Sequence, residues 1–188
     1  MGYSVLLVLL AYLIGSLSSS LIIGKLFFNI DVREHGSGNA GATNAMRVLG
    51  KKHGLFVFLF DVVKGLLAVG LIYLSNQHIA GTEAAVNFQI LLAIAVVLGH
   101  IFPVFFNFKG GKGVATLFGV LLGIIPVATL ILLGVFALSL FTTKYVSVSS
   151  MLSGFFLPFI LIIILKETNV NLIMFPFATF VLLVLTHQ

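Results

Sequence analysis

A chain of 188 residues that is 60% hydrophobic and only 8% charged, with a mean hydropathy of +1.24, lies far from the balance of a soluble domain and describes an integral membrane protein. Cysteine is absent, which excludes disulfides, thiolate metal sites and a cysteine nucleophile. The net charge of +5 suits anionic lipid head groups or anionic substrates. With no long basic stripe, the sequence argues against a nucleic-acid partner.

No alternating apolar and polar barrel pattern is visible, so the expected class is all-α. The apolar run from Ser4 to Ile14 resembles the core of a signal peptide, but it continues to about Ile23 without a basic flank and more apolar runs follow. It reads as the first transmembrane helix, over about 3–24. A polar insertion from Lys25 to Gly54 follows, then a second span over about 55–75 and a loop from Asn76 to Asn87 without Lys or Arg. The third span covers about 88–106 and ends at Asn107-Phe108-Lys109-Gly110-Gly111-Lys112-Gly113. The apolar stretch over about 114–141 is too long for one span and is interrupted by Gly123 and Pro126, so it reads as two short helices. After Thr142-Thr143-Lys144-Tyr145, spans over about 148–165 and 171–186 close the chain.

That count predicts about seven transmembrane helices in a single integral membrane domain, 1–188. It also puts Lys25, Arg33, Arg47, Lys51, Lys52, Lys109, Lys112 and Lys144 on one side and Lys166 on the other. By the positive-inside rule the N-terminus is expected outside, and the basic loops and C-terminus in the cytoplasm.

The most informative polar segment is Gly36-Ser37-Gly38-Asn39-Ala40-Gly41-Ala42-Thr43-Asn44, followed by Arg47. Its glycines let backbone N–H groups turn toward a ligand, Ser, Thr and Asn add neutral donors, and Arg47 adds a planar fork suited to phosphate. A second loop, Phe108 to Gly113, lies on the same predicted side and also joins flexible backbone to cations. Two such loops are able to clasp two phosphates. Each alone is equally readable as a tight interhelical connection, and neither carries the Gly-Lys-Ser/Thr ending of a P-loop. Lys112 stands at a predicted helix start, where a cation opposes the helix dipole unless an anion is bound, and this favours ligand binding.

Asp61 and Lys64, three apart on the second span, share a helix face and are able to pair. They are either a structural ion pair pinning that helix against the polar loops or an intramembrane functional site. His100 opens His-Ile-Phe-Pro close to the second basic loop, where it would orient that loop or touch substrate; His187 ends the last span. His35 precedes the Gly-rich stretch, whereas His53 and His78 read as interfacial or loop residues. No His-x-x-His or carboxylate pair has metal-ligand spacing, so no metal is expected. Ser147 and Ser150 begin the sixth span as candidate helix caps, and neither has an evident base nearby to make it a nucleophile.

Four blocks together resemble the bacterial acyl-phosphate:glycerol-3-phosphate acyltransferase family. They are Gly36-Ser37-Gly38-Asn39-x-Gly41-x-Thr43-Asn44-x-x-Arg47, Asp61-x-x-Lys64-Gly65, His100-x-x-Pro103 with Phe108 to Thr116, and the late His187. The resemblance runs in order over nearly the whole chain. It implies a seven-helix plasma-membrane enzyme that needs no cofactor and has acyl phosphate, glycerol 3-phosphate and membrane lipid as partners. Such an enzyme moves a fatty acyl group to the 1-hydroxyl, giving lysophosphatidic acid and phosphate in the first acylation step of phospholipid synthesis.

Carried onto this sequence, the resemblance implies Ser37 and the following backbone as a phosphate cradle, Arg47 and Lys112 as phosphate clamps, and Ser147 and His187 as further substrate contacts. His100, Lys109, Gly110, Gly111 and Gly113 join the expected binding surface. An acyl phosphate carries a good leaving group, so such an enzyme mainly positions its substrates and stabilises charge, and no strong base is needed. No histidine begins a His-x-x-x-x-Asp, which argues against the thioester-dependent acyltransferases. The family pattern places an asparagine three positions after the late histidine and then a basic tail, so reduced activity is expected of a chain ending at Gln188. The rival from another class is a small membrane anion transporter or channel gated by Asp61 and Lys64; a lipid-binding scaffold is a third reading.

Overall fold

The computed structural model describes residues 2–75 and 82–186, and among these every regular element is helical. In chain order they are α1 Gly2–Gly15, α2 Ser19–Phe28, α3 Ala42–Val48, α4 Lys51–Gly70, α5 Glu83–Ile101, α6 Val114–Ile124, α7 Pro126–Thr143, α8 Val146–Phe159 and α9 Val170–Thr186. Short turns extend α4 to Leu74 and α5 to Phe106, and a π-helical turn carries α8 to Ile164.

The single helix expected over 3–24 is broken. α1 and α2 meet at a 42° bend across Ser16–Ser18, where the Tyr12 carbonyl accepts both the Ser16 N–H and the Ser16 hydroxyl, each at 2.9 Å. A break at membrane depth needs partners for its freed carbonyls. Lys64 of α4 provides them: its Nζ donates to the carbonyls of Gly15 and Leu17, each at 3.1 Å.

The apolar stretch after Gly113 does split at Pro126, as expected, with the proline at the first position of α7, where its missing N–H costs nothing. The halves are unequal. α6 has 11 residues, about 16 Å of helix against a bilayer core of about 30 Å. Four helical segments are long and apolar enough to cross a membrane, or five if the bent α1–α2 pair is one span, while α6 and the apolar part of α9 are shorter. The described residues therefore form an all-α integral membrane protein with four to five candidate spans rather than clearly seven.

Close approach of backbones holds the centre together. Gly65 of α4 lies against the Thr116 carbonyl of α6, and Gly119 of α6 against the Val62 carbonyl of α4, so a methyl group at either position would collide with backbone. Gly15 and Gly99 bring α1 onto α5 in the same way. Small residues at helix crossings are the usual solution where lipid removes the hydrophobic drive between helices. The main apolar core runs through α1, α4, α5, α6, α7, α8 and α9. A second, smaller one sits under the Gly-rich loop: Leu21, Val32, Ala40, Ala45, Leu49 and Val57 are buried together, with Phe106 packed against them. This mini-core seats the loop and α3 on α2 and α4.

Candidate active site

The Gly-rich loop is held in shape by Asn44. Its Oδ1 accepts the Ser37 N–H at 2.8 Å, and its Nδ2 donates to the carbonyls of Val32 at 2.8 Å and His35 at 3.0 Å. Gly36 has φ +63°, and a side chain there would strike the Asn44 amide. Asn44 is thus buried scaffolding for the loop, as is Ala40, whose carbonyl accepts the Ser20 hydroxyl at 2.6 Å. Around them the surface is open: Ser37, Gly38, Thr43 and Arg47 are exposed, and Asn39, Gly41 and Ala42 are half-buried.

The second loop folds back on the end of α5. The Gly110 N–H donates to the Ile101 carbonyl at 3.0 Å and the Gly111 N–H to the His100 carbonyl at 3.1 Å. Gly111 lies against the imidazole of His100, where a Cβ would collide with Nε2. His100 is 4% exposed, so it supports the loop from below and is not on the open surface. Gly113, at φ +81°, reverses the chain into α6, and Lys112 is left half-buried beside it. Partial burial holds the Lys112 ammonium below the ordinary lysine range. Lys109 is exposed.

His100 also ends a buried polar chain. Its Nδ1 is 3.2 Å from the Thr116 hydroxyl and 3.7 Å from Asp61 Oδ1. Asp61 pairs with Lys64 at 3.0 Å, as their spacing predicts, and accepts the Ser19 hydroxyl at 3.4 Å. The pair is 2% and 3% exposed and sits buried among the helices, beneath the surface that carries the two loops.

Arg33, which the sequence offers only as one more positive charge, joins the two loops. Its Nη1 donates to the carbonyls of Phe106 at 3.1 Å and Lys109 at 2.9 Å. The other edge holds Asp31, with Nη2 at 2.6 Å from Oδ2. Hydrogen bonds from Arg33 hold the Asp31 carboxyl below the usual carboxylate range, and Asp31 in turn raises the Arg33 guanidinium. The only sequence-level signal was the Asp-x-Arg spacing just before the Gly-rich block.

Ser147 is exposed in the first turn of α8 but is not its cap, and neither is Ser150. Tyr145 takes the cap position, and the Ser150 hydroxyl donates back to the Ser147 carbonyl at 2.9 Å. One turn further, Ser150 and Ser153 line a cavity of about 340 Å³ whose other walls include Val114, Ala115, Phe118 and Phe136. Its lining residues Val114 and Ala115 on α6 follow Lys112 and Gly113 directly in the chain. His187 and His78 lie outside the described residues.

Known proteins resemble this chain in sequence and in fold. Residues 5–188 match the glycerol-3-phosphate acyltransferase family. Glycerol-3-phosphate acyltransferases of Bacillus velezensis and Macrococcus caseolyticus are 52% identical over 151 residues (80% of this chain and 74% of the relative) and 49% identical over 149 residues (79% and 73%). The crystal structure of PlsY (YgiH), an integral membrane glycerol 3-phosphate acyltransferase, in its glycerol 3-phosphate form superposes with a TM-score of 0.85 at 34% identity, covering 98% of this chain and 88% of that one. Its lysophosphatidic acid form gives 0.82 at 33%, covering 99% and 88%. With the match extending over nearly every residue and including both loops, the chain belongs to the glycerol-3-phosphate acyltransferase family.

Proposed function

We propose that the chain transfers a fatty acyl group from acyl phosphate to the 1-hydroxyl of glycerol 3-phosphate, giving lysophosphatidic acid and inorganic phosphate, the first acylation of phospholipid synthesis. The observation that carries this reading is the joining of two glycine-rich, cationic loops by Arg33, with an apolar cavity whose lining begins at Val114, directly after the second.

The Ser37 hydroxyl and the backbone of 38–43 cradle one phosphate. Arg47 and Lys112 clamp the phosphates, with Lys109, Ser147 and His187 as further polar contacts. The acyl chain enters the cavity between α6, α7 and α8. The hydroxyl oxygen then bonds to the acyl carbon, the bond from that carbon to the phosphate oxygen breaks, and a phosphate oxygen takes the hydroxyl proton. Because phosphate is both leaving group and proton acceptor, alignment and charge stabilisation suffice.

In the membrane, the bent α1–α2 pair, α4, α5, α6, α7, α8 and α9 make seven crossings. The N-terminus then lies outside, and the basic loops and C-terminus lie on the cytoplasmic face of a bacterial inner membrane. Residues 1–188 act as a single catalytic domain.

Protein reconstituted in vesicles and given acyl phosphate and glycerol 3-phosphate tests the reading. Phosphate release that requires both substrates is expected. Anion flux across the vesicle without turnover overturns it in favour of a transporter.

A further inference from the structure

Arg33 carries a charge near both loops, but each of its three nitrogens already has an acceptor within the protein, with one Nη2 N–H left over. Nε donates to Asp31 Oδ1 at 3.0 Å and Oδ2 at 3.2 Å, Nη2 donates to Asp31 Oδ2 at 2.6 Å, and Nη1 donates to two carbonyls, Phe106 and Lys109. The two carbonyls belong to one tight turn, closed by the Lys109 N–H on the Phe106 carbonyl at 3.3 Å, with Asn107 and Phe108 both in the left-handed region. A planar guanidinium gripping both ends of that turn sets its orientation, not merely its proximity.

On its other side Arg33 is equally fixed. Asp31 Oδ1 accepts the Arg33 backbone N–H at 2.9 Å, so the carboxylate orients the side chain and caps the turn Val32–Glu34. Val32 is fully buried in the mini-core with Phe106 packed against that core, and its carbonyl receives the Asn44 amide that shapes the Gly-rich loop. The route from Ser37 to Lys112 thus passes through the Asn44 amide, the Val32 turn, the Arg33 guanidinium and the 106–109 turn. Each link is a hydrogen bond or a few residues of continuous chain.

We propose that Arg33, oriented by Asp31, is a positioning residue that fixes the spacing of the two phosphate loops and so aligns the acceptor hydroxyl with the acyl carbonyl. This rests on reading both loops as phosphate sites. Each loop also has a framework apart from Arg33: Asn44 holds the first, and the His100 and Ile101 carbonyls hold Gly110 and Gly111 of the second. Loosening Arg33 therefore leaves each phosphate bound and misplaces the reacting atoms, so the loss falls on kcat and not on KM.

The test is Arg33→Lys, which keeps the charge but cannot fork between a carboxylate and two carbonyls, together with Asp31→Asn. Both are expected to lower kcat at least about tenfold per folded molecule, with KM for each substrate within about threefold. A raised KM for either substrate at unchanged kcat means that Arg33 itself binds phosphate and overturns the proposal, as does unchanged kcat. A second readout needs no catalysis. The chain has no cysteine, so Glu34→Cys and Phe105→Cys, both at exposed positions, accept spin labels, and pulsed electron resonance reads the distance between the loops. The distribution should broaden in Arg33→Lys; an unchanged narrow distribution overturns the proposal. Broadening with normal kcat removes the catalytic role and leaves the two-loop reading standing. That reading fails separately, if Arg47→Ala and Lys112→Ala both turn over normally.

Discussion

Lys64 donates to the backbone carbonyl of Gly15 at 3.1 Å from a helix 49 residues further along the chain. The same ammonium bonds Leu17 and pairs with Asp61. A buried cation thus ends one helix and is neutralised within its own. The bend between α1 and α2 is possible because these carbonyls are satisfied, and Ser19 and Ser20, in the first turn of α2, then meet Asp61 and the Ala40 carbonyl under the Gly-rich loop.

Lys64→Met should therefore destabilise the protein by about 3–5 kcal/mol, since it leaves a buried carboxylate unpaired and two carbonyls unmet. Thermal unfolding in detergent measures it. Asp61→Asn should also lower folded yield, with turnover per folded molecule unchanged; a selective loss of turnover at normal stability would make the pair functional instead of structural.

Arg47→Ala and Lys112→Ala should each reduce turnover at least about tenfold, the expected scale for losing a charge-assisted phosphate contact. Neither has a role in the buried cores, so folded yield should hold. Near-normal rates in both variants refute the two-clamp arrangement.

The alkaline side of the rate profile should report Lys112. Partial burial lowers its pKa, so the free enzyme loses the positive clamp at a pH below the ordinary lysine range, and kcat/KM should fall there as pH rises. Lys112→Arg, whose guanidinium stays protonated throughout, should shift that fall to higher pH. An alkaline limb identical in the two proteins assigns it to another group.

Asn44→Ala should release the Gly-rich loop by removing one acceptor and two donors. The expected result is a raised KM for at least one substrate together with faster amide exchange at Ser37, read by hydrogen exchange. Protection at Ser37 equal to the parent would mean that the loop is shaped by the mini-core alone.

The outcome at His100 shows how far local sequence reasoning reaches. Its place beside the second basic loop was legible from His-Ile-Phe-Pro and the glycines that follow. Whether it orients that loop or touches substrate was not, because burial under Gly111 depends on how α5 and α6 pack. Asn44 reads in the sequence as one of a run of donors in the Gly-rich block, and only the fold turns its amide inward.

Composition and pattern determined by themselves that this is an all-helical membrane protein, where its apolar segments lie, and which two loops concentrate glycine and positive charge. Those are local properties: a residue's transfer free energy and its neighbours along the chain suffice to read them. Tertiary structure alone decided that the first helix breaks, that Lys64 closes the break, and that Arg33 ties residue 33 to carbonyls 73 and 76 positions away. The partners in these last contacts are backbone carbonyls, which every residue carries, so no residue type at their positions marks them before the chain is folded.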